Sequence, residues 1–169
     1  MTRVDLRTLR LRPGEVRTGS WDVELEPFVL GGLRYAPASS TIPVELQISQ
    51  ASGAMVFDMK LHAHLSGACM RCLAHAEVDR DVGAREFHDL DAPSGDELRS
   101  DYVVDNQLQL GTWTRDAIAL ELPDQIVCRD DCAGLCPVCG KDLNAEPHEH
   151  LERDPDPRWA ALEGLRDNL

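Results

Sequence analysis

Met55-Val56-Phe57-Asp58-Met59-Lys60-Leu61-His62-Ala63-His64-Leu65 leads through Ser66-Gly67-Ala68 into Cys69-Met70-Arg71-Cys72. Met55, Phe57, Met59, Leu61, Ala63 and Leu65 alternate with Val56, Asp58, Lys60, His62 and His64. A period of two over this length predicts a long β-strand with one apolar face. Alternation resumes at Ala76, Val78, Val82 and Ala84. The stretch therefore reads as an antiparallel hairpin with a cysteine pair at its tip.

Working outward, Val44, Leu46 and Ile48 alternate with Glu45, Gln47 and Ser49, a further half-buried strand, with Ala51-Ser52-Gly53 as the turn between the two. Residues 1–40 read as irregular segments and short strands, broken by Pro13-Gly14, Gly31-Gly32 and Pro37. Downstream, 88–101 is an acidic stretch with Pro93 and Gly95 and reads as a loop. Val103-Val104 and Leu108-Leu110 read as a second small hairpin around Asp105-Asn106. From Thr112 the period changes: Trp113, Ala117, Ile118 and Leu120 fall at helical spacing, with Thr112 or Thr114 as cap and Pro123 as stop. Asp156 and Pro157 open a further short helix through Trp159, Leu162 and Leu165. These readings predict an α+β fold, mainly antiparallel β-sheet with barrel-like closure as one outcome, and two or three short helices. The expected division is a β-rich core over 1–123 and a metal-bound extension over 124–169, whose cysteine-rich start is too polar to bury a core of its own.

Composition narrows the function. The chain has 169 residues, 43% hydrophobic, with a formal net charge of -13. Residues 1–17 hold five arginines against Asp5 and Glu15, which is +3, so the remainder sums to -16. An acidic body repels phosphate and argues against broad nucleic-acid binding, leaving room for a local contact through the arginine-rich start. No run reaches the ~18 apolar residues of a membrane span. The arginines of MTRVDLRTLRLRPGEV interrupt any apolar region of a secretory signal, so a cytoplasmic protein with reduced thiols is expected.

In that compartment paired cysteines point to metal. Cys69-x2-Cys72, Cys128-x3-Cys132, Cys136-x2-Cys139 and His148-x-His150 supply eight ligands in four close pairs, enough for two tetrahedral zinc sites. Two partitions suit the spacing. In the first, Cys69, Cys72, Cys128 and Cys132 share one ion, and Cys136, Cys139, His148 and His150 the other. In the second, Cys128, Cys132, Cys136 and Cys139 share one ion and Cys69 and Cys72 join the histidines. The first is favoured, because Ala133-Gly134-Leu135 suits a hand-over between sites and the eight residues from Cys139 to His148 allow a loop to return. His62 and His64 read as solvated, and His75 and His88 carry no signal. Closed sites have no vacancy for a substrate, and no H-E-x-x-H helix is present, so no catalytic residue and no small-molecule substrate are expected.

The Gly67–Leu73 box, Leu120–Pro123, the block Cys128–Asn144 and Asp156–Leu162 together resemble the bacterial YceD family over roughly residues 43 to 165. Many members carry a C-x-C where this chain has His148-x-His150, an exchange that keeps the ligand count. Membership implies a part in accumulation of large-subunit ribosomal RNA, hence in assembly of the large ribosomal subunit. It also implies partners among pre-large-subunit particles, a ribosomal protein or rRNA, and a gene neighbourhood with a small zinc-bearing ribosomal protein. The rival reading is a zinc-ribbon nucleic-acid-binding or transcription-associated regulator, with Arg71, Arg129 and Lys141 near the cysteines.

Overall fold

The computed structural model describes residues 2–51, 53–93 and 95–150. The chain divides into two compact units between Cys132 and Ala133.

The first unit is built on the expected hairpin. β1 is Val4–Asp5, β2 Val16–Glu24, β3 Phe28–Leu30, β4 Leu33–Pro37, β5 Thr41–Ala51, β6 Ala54–Ala68 and β7 His75–Asp89. β8 (Val103–Val104) and β9 (Gln107–Leu108) precede the helix α1, Leu110–Glu121. β6 and β7 pair antiparallel along their full length, from Ala54↔Asp89 to Ala68↔His75. The other edge of β6 is shared: β5 pairs with its first half and β4 with Leu65 and Ser66. β2 then adds to β5, and β3 to β4. A separate three-stranded sheet has the order β1-β9-β8.

The period-two reading holds side chain by side chain. Ile42, Val44, Leu46 and Ile48 of β5, and Phe57, Met59, Leu61, Ala63 and Leu65 of β6, are buried. Fully burying a large apolar side chain is worth about 1.5–3 kcal/mol, so this face is the main stabilising term. Helix α1 covers it with Leu110, Trp113, Ala117 and Ile118, the i, i+3, i+7, i+8 stripe of an amphipathic helix, and packs against β7 and β2. Arg115 fixes the helix to the turn before β3, donating to the carbonyls of Glu26 and Pro27 and lying 4.4 Å from the centre of the Phe28 ring.

Three expectations change. The sheet does not close into a barrel: β2 and β7 do not pair with one another, because the helix rather than the sheet itself covers the apolar face. The described residues contain one α-helix and a 3-10 turn at Leu6–Thr8, not two or three helices; the helix expected from Asp156 lies outside the described residues. Neither threonine caps α1. Gln109 stands at the cap position, Leu110 opens the helix instead of extending β9, and Thr114 is buried with its hydroxyl 3.3 Å from the Met59 sulfur. The stop before Pro123 holds: Leu122 is extended, as a residue preceding proline prefers.

Candidate metal centres

The hairpin tip folds as a knuckle. The Leu73 N–H donates to the Cys69 carbonyl at 3.0 Å and the Cys69 N–H to the Ala74 carbonyl at 2.7 Å, while the Arg71 N–H points at the Cys69 sulfur at 3.4 Å. Closing the turn needs a left-handed residue after the second cysteine, and Leu73 takes it with φ 63°. Opposite the tip lies the segment after the helix. The Met70 N–H donates to the carbonyl of Ile126, whose side chain is buried, and this brings Cys128 and Cys132 to the knuckle. Arg71 braces both sides, with Nε on Gln125 Oε1 at 3.0 Å and Nη1 on the Cys132 carbonyl at 3.2 Å.

The four sulfurs of Cys69, Cys72, Cys128 and Cys132 lie within 4.8 Å of one another. Cys69 and Cys132 are 3.8 Å apart and Cys72 and Cys128 3.6 Å. A tetrahedron with metal–sulfur bonds of 2.3 Å has edges of about 3.8 Å, so the cluster has the dimensions of a zinc site. These distances are also far too long for disulfides, and all six cysteines are unbridged. Burial pushes the Cys69 thiol up, but the amides of Cys72, Arg71 and Cys128 outweigh it and bring it down to about 6. The Cys128 thiol is pushed up to about 12, first by its hydrogen bond with Cys72 and then by burial. Without a cation, four sulfurs at this spacing cannot all be thiolates. A divalent ion would remove that conflict.

The second unit repeats the knuckle. The Gly140 N–H donates to the Cys136 carbonyl at 2.8 Å, the Cys136 N–H to the Lys141 carbonyl at 2.8 Å, and Gly140 takes φ 73°. The position after the second cysteine requires a left-handed backbone, and Leu73 meets the same requirement without glycine's freedom. Cys136, Cys139, His148 and His150 offer ligand atoms within 4.8 Å of one another. His148 Nδ1 lies 2.7 Å from the Glu146 carbonyl, which can only accept, so the proton sits on Nδ1. Nε2 faces the Cys139 sulfur at 3.1 Å, and the Glu146 carbonyl, followed by Cys136, raises the imidazole above its usual pKa. The Cys136 thiol is lowered to about 6, chiefly by the Cys139 amide. Both donor sets, thiolates alone and thiolates with imidazoles, suit zinc.

The eight residues therefore gather in two groups with the membership of the first partition, each within one unit. His62 and His64 stand apart, on the outer face of the sheet. His62 contacts Asp81 at 2.8 Å and Asp79 at 3.2 Å, and His64 contacts Asp79 at 2.8 Å. The Asp81 carboxylate holds the His62 imidazole above its usual value. Sequence reasoning missed the brace formed by Arg71 and the anchor at Ile126. Neither has a motif; both depend on which distant segment lies opposite the tip.

A family profile described as large ribosomal RNA subunit accumulation protein YceD matches residues 57–166. The chain belongs to the YceD family. An uncharacterized protein of Mycobacterium tuberculosis, Rv2926c, is 32% identical over 164 residues, covering 94% of this chain and 78% of the relative. An uncharacterized protein of Mycobacterium leprae, ML1660, is 30% identical over 125 residues, covering 72% and 57%. The uncharacterized YlbN of Bacillus subtilis is 29% identical over 113 residues, covering 64% of each chain. No solved structure matches the chain. The family's profile begins within β6, so it takes in the knuckle hairpin, helix α1 and both ligand groups of this YceD protein.

Proposed function

We propose that this YceD protein is a non-catalytic, cytoplasmic factor that supports large-subunit rRNA accumulation during ribosome assembly, with two structural zinc ions. Family membership supports the role, and the observation that carries the non-catalytic part is the donor count. Each group offers four protein ligands, which would fill a tetrahedral ion and leave no position for water or substrate. No helix among the described residues is long and apolar enough to cross a membrane, which is compatible with a cytoplasmic site of action.

Zinc here would act as a clasp. Cys69, Cys72, Cys128 and Cys132 would hold the hairpin tip to the segment after α1, presenting both as one rigid surface to a pre-large-subunit particle. The transcription-regulator reading is weaker at the knuckles themselves. Arg129 pairs with Asp131 at 3.1 Å, Lys141 pairs with Glu146 at 2.7 Å, and Arg71 is spent on Gln125 and Cys132.

The test is a deletion strain complemented with the wild-type chain or with Cys69→Ser. Loss of the protein should lower large-subunit rRNA relative to small-subunit rRNA, and tagged wild-type protein should sediment with pre-large-subunit particles. Unchanged rRNA together with salt-dependent retention on duplex DNA would favour the regulator.

A further inference from the structure

At the far end of the sheet from the knuckle, the alternation of the apolar face is broken. Gln50, Met55 and His88 are cross-strand neighbours on β5, β6 and β7, through Gln50↔Met55 and Met55↔His88. They continue the inward-facing rows of Ile48, Phe57 and Val82, where period two calls for apolar side chains. Two of the three are polar. His88 is 2% exposed, yet its Nδ1 has no hydrogen-bond partner. Leaving a buried polar nitrogen unsatisfied costs about 1–3 kcal/mol, so a group held this way calls for a partner.

The three residues form one wall of a cleft of about 190 Å³. The N-terminal segment supplies another wall with Arg7 and Arg10, and the β8–β9 turn a third with Asn106. The walls are tied together, since the Leu6 N–H donates to the Asn106 carbonyl at 3.0 Å. Asp5 holds Arg7 through Nε at 3.1 Å and Nη2 at 3.2 Å, so the Arg7 charge is met within the chain. Arg10 is exposed, makes no ion pair with the described residues, and is held in the left-handed region at φ 44°. A non-glycine residue in that conformation stores strain of the kind that gathers at binding sites.

We infer that this cleft binds one nucleotide, its base against Met55, Gln50 and His88 and its phosphate on Arg10. The size suits a ring: a cavity of about 150 Å³ is enough for benzene. The side-chain amide of Gln50 matches the paired donor and acceptor on a base edge, and the thioether of Met55 suits contact with an aromatic ring. Burial and the nearby charge of Arg99 keep His88 below its usual pKa, so its neutral ring can both donate and accept. Guanidinium groups are the natural partners of phosphate. Because the rest of the chain is strongly acidic, attraction for phosphate is confined to this arginine-bearing segment, which favours one nucleotide over a long tract.

The nucleotide could be free or an unpaired residue of an RNA strand, and the experiment separates the two. The metal-loaded full chain is titrated with UMP, CMP, AMP and GMP and with a single-stranded ribonucleotide hexamer. Binding is followed by the ring ¹⁵N resonances of His88 and by fluorescence anisotropy. At least one probe should move the His88 signals. Arg10→Ala should weaken that binding roughly tenfold, the size of one charge-assisted hydrogen bond. Gln50→Ala should change the preference among bases; both variants lie at partly or fully exposed positions and should fold. A hexamer that binds better than any mononucleotide, with a steeper salt dependence, points to RNA; equal affinity points to a free nucleotide. Unmoved His88 resonances with all five probes at millimolar concentration, or binding that neither variant weakens, overturns the inference. It stands apart from the proposed function: a chain that restores rRNA but binds no probe would sink the cleft alone.

Discussion

The two knuckles share one backbone plan and differ in everything that surrounds it. Around Cys69 the ligands sit on a finished structure: three of the four cysteines are buried, and the partner segment is anchored by Ile126 and Arg71. Around Cys136 only that cysteine is buried, and the four ligands fall within residues 136–150. Backbone order there comes from short turns, the Leu135↔Asp142 bridge and Asx contacts such as Ala133 N–H to Asn144 Oδ1. A segment this small and polar cannot offset its conformational entropy with apolar burial. The first clasp is therefore expected to join elements that already have a core, and the second to supply the stability of its segment outright.

Ligand removal breaks this comparison most directly. Cys132→Ser and Cys136→Ser should each lose one metal equivalent, a different one, by native mass spectrometry. A structural zinc contributes apparent binding energy of about 10 kcal/mol, so this is the largest effect expected. In Cys136→Ser, amide exchange should become fast over 133–150 while Leu46, Ile48, Phe57 and Met59 stay protected. If Cys69→Ser and Cys136→Ser instead lose one shared ion, the grouping is wrong.

Gly67→Ala probes how far the first clasp leans on the sheet. A Cβ there would lie 2.5 Å from the Tyr35 ring and 2.6 Å from the Arg34 carbonyl oxygen, and Tyr35 is fully buried with its hydroxyl donating to the Ala68 carbonyl at 2.7 Å. Overpacking of this kind should cost roughly 1–3 kcal/mol in denaturant unfolding and loosen the first metal while sparing the second. Equal loosening of both metals would erase the distinction.

A smaller effect comes from exchanging the residues that close the two knuckles. Leu73→Gly should stabilise the first turn and Gly140→Leu destabilise the second, each by about 1 kcal/mol, because a left-handed backbone penalises a side chain. Leu73 is 57% exposed, so little burial is lost to offset the gain. Urea midpoints moving the same way in both variants would show that the two turns are not equivalent.

The smallest effect belongs to the outer sheet face, which should respond to pH without involving either ligand group. The His62 pKa is raised first by Asp81, so its stabilisation is present below the unfolded value of about 6.5 and lost as pH rises through the folded value. The Asp79 pKa is lowered first by His64, so its share is present above about 3.9 and lost on further acidification. His62→Gln should therefore trail the wild type near pH 5 and match it near pH 8 in denaturant midpoint, with metal content unchanged. A gap that widens toward pH 8 would reverse the assignment.

The pattern on β5, β6 and β7 was legible because period two on a half-buried sheet is a local consequence of geometry. The knuckle spacings and the stop before Pro123 were legible for the same reason. His88 was not, although its signal was present: counted from Ala76, Val78 and Val82 it falls on the apolar face of β7. A polar residue in that row can be noticed in the sequence, but only the neighbouring Gln50 and the arriving N-terminal segment make it a cleft. The barrel-like closure failed on similar grounds, since alternation says that a face is buried and not whether a sheet or a helix covers it.

Strand period, turn chemistry and ligand spacing are interactions between near neighbours, so the chain alone determined the hairpin, the two knuckles and an inventory of eight donors. Which donors share a group was decided by the fold. Cys128 reaches Cys72 only because β7, the small sheet and α1 carry the chain back to the tip, and that return path is set by burial of the common apolar face rather than by any residue near either cysteine.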